Sequence, residues 1–117
     1  MLNVTAITRV LSFLDTECTV IAVGSGSSPI YSAEYLTNET FRNVVSSSTI
    51  SNNTLIKEIY IDTASANGPI SEVGLFGNGA SLASNSGDLM ASFSTSLFKD
   101  SSQSLNIAFE IDVLEVV

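Results

Sequence analysis

The chain carries twelve carboxylates, four basic side chains and no histidine, and that balance limits the chemistry open to it. Without an imidazole, neither a Ser-His-Asp nor a Cys-His arrangement can be built. Zinc would have to be held by Cys18 and carboxylates alone, a poor donor set for a structural site. Cys18 is the only cysteine and reads as a small buried hydrophobe between a helix and a strand. Paired carboxylates are the remaining route to acid–base work. Glu110 and Asp112 share one face of a strand, as do Glu58, Tyr60 and Asp62. Like charges two apart on a strand ordinarily mark a solvated face. A calcium loop needs several acids beside a glycine, and the nearest case, Asn85-Ser86-Gly87-Asp88, supplies one. Gly24-Ser25-Gly26 opens like a phosphate-binding loop, but Pro29 stands where a third glycine belongs and no Gly-Lys-Ser/Thr follows. Tyr31 and Tyr35, four apart in a loop, are the one aromatic pair on which a sugar could stack. The expectation is therefore no catalytic residue, no metal and no cofactor.

The elements that must position these side chains are mostly strands. Val4, Ile7, Val10, Leu11 and Leu14 recur at helical spacing, which predicts a helix over about 4–17 capped by Asn3 or Thr5. That apolar set either packs on a sheet edge or forms a contact with another copy or another protein. Thr19–Val23 is a β-branched run closed by Gly24 and reads as a buried strand. Residues 30–40 look irregular, with Glu39 and Arg42 three apart and able to pair, a pair worth little if exposed. Phe41–Ile50 reads as one strand, Ser51-Asn52-Asn53 as its turn and Leu55–Asp62 as the return strand. In that return strand Leu55, Lys57, Ile59 and Ile61 share a face.

Asn67-Gly68-Pro69 marks a tight turn. Ile70–Phe76 is the next strand, and Gly74 inside it predicts a bulge or a close backbone approach. Gly77-Asn78-Gly79 ends it, Ala80–Gly87 is a soft loop, Asp88–Phe93 is a strand and Ser94–Gln103 a crossover. Ser104–Val116 alternates, with Leu105, Ile107, Phe109, Ile111 and Val113 on the buried face. One helix ahead of six or seven evenly spaced strands predicts a mainly β fold, an antiparallel, jelly-roll-like β-sandwich with one N-terminal helix.

The whole chain fits that picture. Its 117 residues make one domain, 1–117, and 44% apolar content suffices for a core without disulfides or metals. Only 14% of residues are charged, so Ser, Thr and Asn must cover most of the surface. A net charge of −8 repels phosphate backbones and anionic membranes, so nucleic acid is excluded as a partner. No run approaches the ~20 apolar residues of a membrane span, so no membrane insertion is expected. The first fifteen residues lack the pattern of a signal peptide, and a lone cysteine fits synthesis in a reducing compartment.

From Asn67 onward the order of motifs resembles a family of small tail-fibre-like structural proteins of tailed bacteriophages and prophages. Asn67-Gly68 precedes Ile70-Ser71-Glu72-Val73-Gly74-Leu75-Phe76. A variable loop leads to Gly87-Asp88-Leu89-Met90-Ala91, then come Lys99 and the alternating strand from Ser104 to Ile111. Upstream, Ile21–Gly26 and the Glu39-x-x-Arg42 spacing match the same pattern. Phe109 stands where a tryptophan is usual, and the acidic end after Ile111 is longer. The resemblance implies a non-enzymatic part of a virion, made in the bacterial host's cytoplasm, with other virion proteins as its partners. A tail-fibre, baseplate or adaptor module comes first, and a capsid decoration protein is the alternative. A symmetric homo-oligomer is expected, three copies before other numbers. A reading of another class is a glycan-binding module with Tyr31 and Tyr35 on its contact surface.

Overall fold

The computed structural model describes residues 1–27 and 29–114. Among them one helix and seven strands form two antiparallel sheets: α1 (Val4–Glu17), β1 (Val20–Gly24), β2 (Glu39–Val44), β3 (Ser47–Ser51), β4 (Thr54–Ile61), β5 (Gly68–Gly77), β6 (Asp88–Lys99) and β7 (Leu105–Asp112). The four-stranded sheet has the order β2-β1-β5-β6 and the three-stranded sheet β3-β4-β7. The mainly β sandwich with an N-terminal helix is thus what forms. It has one strand fewer than the eight of a jelly roll.

The chain lays down hairpins in alternate sheets. β1 and β2 pair in the larger sheet, β3 and β4 in the smaller, β5 and β6 in the larger again, and β7 returns to β4. The single strand expected over Phe41–Ile50 is therefore two strands in different sheets. The switch occurs at Val45-Ser46, where consecutive amides part: Val45 N–H donates to Thr19 O of the larger sheet's side and Ser46 N–H to Glu58 O of β4. No glycine or proline marks this corner, so the sequence pattern runs straight through it.

The core lies between the sheets. Ile21, Val23, Val73 and Leu75 meet Ile59, Ile61, Ile107 and Phe109, all at most 7% exposed. Phe93 of β6 and Phe109 of β7 join the sheets directly, their ring centres 5.0 Å apart and tilted by 56°. Phe109 thus fills the core position expected of a larger aromatic. A second apolar cluster lies on the outer face of the larger sheet, where Val20, Ala22 and Phe76 are covered by Leu36, with Ala80 and Leu89 at its margin. The long β1–β2 loop supplies that cover.

Two further expectations change. β6 does not stop at Phe93 but runs to Lys99, which pairs with Gly68, so only residues 100–104 connect it to β7. Ser92, Ser94 and Ser96 disguise this stretch as a loop, yet β5 supplies a partner along its length. β7 ends at Asp112, where its partner Thr54 begins β4, so Val113 and Leu114 lie beyond the ladder. Glu115 and Val116 of the expected strand lie outside the described residues.

The helix forms over the expected span, and Asn3 caps it by accepting from Thr5 N–H at 2.9 Å. Leu11 is fully buried, with Ile7 and Leu14 half-buried, whereas Val4 and Val10 are 70% and 46% exposed. Val10 lies about 100° round the helix from Leu11, too far to share its contact. Phe13 is also outward, at 61% exposure. At the helix C-terminus Lys57 donates to Asp15 O at 2.6 Å and to Cys18 O, and pairs with Asp15 Oδ1 at 3.1 Å. Lys57 belongs to the core-facing row of β4, so this cation joins helix to sheet where the helix dipole is negative.

Candidate interaction surface

Each residue of the Ile70–Phe76 motif has an architectural task. Val73 and Leu75 enter the core between the sheets, while Glu72, Gly74 and Phe76 face outward beneath the β1–β2 loop. Glu72 is fully buried and accepts from Gly26 N–H at 2.9 Å, Thr37 N–H at 2.9 Å, Asn38 N–H at 2.8 Å and the Thr37 hydroxyl at 3.0 Å. The Gly24–Gly26 turn thus cradles an anion after all, and the anion is the protein's own carboxylate. Both glycines are required. A Cβ at Gly24 or Gly26 would stand 2.5 or 2.7 Å from Glu72 Oε2.

Gly74 serves close packing and not a bulge. A Cβ there would meet Leu89 Cδ1 at 2.8 Å and Leu36 Cδ2 at 2.9 Å. The register of β5 against β6 shifts elsewhere, between Ile70 and Glu72 and between Leu75 and Phe76. Ile70 is buried in the core. Gly87 takes φ +75° with no room for a side chain, because Gly77 O lies 2.4 Å from the position of a Cβ. Leu89 and Ala91 pack on opposite clusters. Lys99 is fully buried and donates to Asn67 Oδ1 at 2.7 Å and Thr63 O at 3.3 Å, tying down the turn before β5.

Glu39 and Arg42 form a buried ion pair, with both side chains 3% exposed and contacts of 2.7 and 2.9 Å. Arg42 also donates to Ser81 O and Ser86 O, each at 3.0 Å, and its guanidinium carbon lies 4.5 Å from the centre of the Phe76 ring. Ser84 Oγ donates to Glu39 at 2.9 Å. The loop over 80–87, soft by sequence, is therefore pinned from inside. Thr37, Asn38, Ser81 and Ser86 were not legible as partners in sequence, because each meets its contact across more than thirty residues.

The acidic candidates remain apart from any such network. Glu58, Tyr60, Glu110 and Asp112 lie on the outer face of the smaller sheet, and Thr54 Oγ1 donates to Asp112 at 2.6 Å. No three acidic or cysteine side chains among the described residues gather as a metal site would require. Cys18 is fully buried, and burial pushes its thiol pKa up while Lys57 pulls it down.

What the surface does offer is apolar. Tyr31 and Ile30 are fully and 72% exposed, Tyr35 is 51% exposed, and the loop that carries them borders three adjoining clefts of about 290, 400 and 420 Å³. The first lies between Ile30, Tyr31 and Ala33 on one side and Leu89–Ser92 of β6 on the other. Further along β6, Leu97 and Phe98 are 46% and 71% exposed. Compared with models of known families and with curated proteins, the chain matches none.

Proposed function

We propose that the protein is a non-enzymatic structural part of a tailed-phage virion, a tail-fibre, baseplate or adaptor module that works as a homo-oligomer, with three copies as the first expectation. The observation that carries this reading is the division of labour in the chain. The residues behind the family resemblance, Ile70 to Lys99, build the sandwich and brace its loops, while large apolar side chains (Val4, Phe13, Ile30, Tyr31, Phe98) face outward. Such side chains suit a subunit that other subunits cover. Its partners are then other virion proteins and its location the particle.

The test is immunogold labelling of purified particles with antibody to this protein. Gold at the tail or its tip is expected. Gold over the head would replace this reading with capsid decoration, and unlabelled particles would remove the surface role.

A glycan-binding reading draws on one specific observation, the exposure of Tyr31 and Tyr35 beside adjoining clefts. Retained host binding by the Tyr31→Ala, Tyr35→Ala double variant, together with a blank glycan array, would eliminate it.

A further inference from the structure

The helix carries more apolar surface than the sandwich covers. Ile7, Leu11 and Leu14 make the line that packs inward. A second line, Ala6, Val10 and Phe13, continues the apolar arc about 100–160° round from Leu11. Ala6 is half-buried, and Val10 and Phe13 are exposed. A helix that packs on one partner needs an apolar stripe of about 100°. Here the arc from Leu11 to Phe13 is about 160° wide, and the opposite arc is polar, with Thr5, Thr8, Arg9, Ser12 and Thr16.

We propose that this second line is a docking face whose occupant is α1 of a second copy of this chain, antiparallel about a two-fold axis beside Phe13. Charge selects that occupant. The chain has four basic side chains, and Arg42, Lys57 and Lys99 are buried. Arg9 is therefore the one basic side chain exposed at the surface, and it borders the second line about 40° from Phe13. Glu17 lies about 40° to the other side of Phe13 and closes the line at its C-terminal end. Neither side chain has a hydrogen bond or ion pair among the described residues, whereas Asp15, the remaining charge of the helix, is held by Lys57.

The spacing is self-complementary. Arg9 stands four residues before Phe13 and Glu17 four residues after it, about 6 Å either way along the helix. Reversing one helix about Phe13 brings Arg9 of each copy level with Glu17 of the other, so the ion pair forms twice. Arg9 then also lies at the negative end of the partner helix's dipole. The two Phe13 rings meet at the centre with Val10 beside them. This apolar patch supplies the affinity, and the ion pairs fix the register. Within one helix Arg9 and Glu17 are about 12 Å apart, too far to pair with each other.

A parallel three-helix contact through the same line would gather three Glu17 carboxylates, with each Arg9 two turns away. The helix contact is therefore two-fold, giving a dimer, or six copies where two trimers meet. This inference does not rest on the virion reading. Sedimentation equilibrium on the full chain tests it. A dimer or hexamer is expected, and Phe13→Asp should raise the dissociation constant by about tenfold or more. Because Phe13 is exposed, that variant should melt as the native chain does. A native chain that stays monomeric at its highest soluble concentration, or forms trimers alone, overturns the proposal, as does an oligomer indifferent to Phe13→Asp. A monomer that needs Phe13 to join purified particles gives the face to another protein and overturns the second-copy occupant.

The register has its own test, which also decides the matter should Phe13→Asp fail to fold. Arg9→Glu and Glu17→Arg should each weaken association by about threefold or more. Glu17→Arg is the sharper of the two, because it reduces the net negative charge and would tighten association if overall repulsion alone were acting. The double variant Arg9→Glu, Glu17→Arg should return the native dissociation constant. Single losses that the double variant does not restore overturn the antiparallel pairing.

Discussion

Glu72 shows how much one side chain can hold. Its fully buried carboxylate accepts from three backbone N–H groups, and from the Thr37 hydroxyl, which also reaches Ser27 O, so the acceptor's own burial is offset by these bonds. Glu72→Gln keeps the shape but turns an NH₂ group toward donors, so unfolding in urea should show a loss of about 3 kcal/mol. A loss within experimental error would mean that the β1–β2 loop is held by something else. Cys18 makes a pH prediction. Burial raises its pKa above the ordinary 9.0, so the unfolded chain ionises first as pH rises. Stability tied to this thiol is present below pH 9.0 and falls as pH climbs from there through the folded value. Cys18→Ala should flatten that part of the stability profile, and native Cys18 should react slowly with thiol reagents at neutral pH.

At the level of elements, two cations do the joining. Lys57 fastens α1 to β4 through the helix's terminal carbonyls, and Lys57→Met keeps the packing while removing those bonds. Amide hydrogen exchange in the last turn of α1 should then accelerate, with the core of β1 and β5 little changed. Arg42 fastens β2 to the 80–87 loop and lies over Phe76. Removing either partner of the Glu39–Arg42 pair leaves a buried charge alone, at a cost of about 3–5 kcal/mol. The double variant Glu39→Ala, Arg42→Ala should lose less than the two single losses added together, and strict additivity in denaturant titrations would contradict the pairing.

For the whole molecule, charge decides how copies meet. A net charge of −8 opposes association of copies, and that repulsion weakens when salt screens it. Raising ionic strength from about 0.01 M to about 0.15 M shortens the screening length from about 30 Å to about 8 Å. Self-association should therefore tighten with salt. Weakening with salt would point to an interface made of ion pairs. The same composition explains the buried basic side chains. Lys57, Lys99 and Arg42 are at most 7% exposed, so three of the four basic residues are spent inside and the surface is left acidic.

By itself the sequence determined what is local. The 3.6-residue spacing of Ile7, Leu11 and Leu14 produced the helix, and the two-residue alternation of Leu55–Ile61 and Leu105–Ile111 produced the paired strands of the smaller sheet. Periodicity survives in a single chain because each element must present one apolar face. Tertiary structure decided where those faces went. Phe41–Ile50 became two strands because Val45 and Ser46 hand their amides to different sheets, a choice made by Thr19 and Glu58 far along the chain. The serines of β6 became strand because β5 lay beside them. Nothing in the spacing of Glu72, Arg42 and Lys99 marks them for burial. Their burial depended on donors and acceptors brought from distant loops, and no spacing rule records a partner thirty residues away.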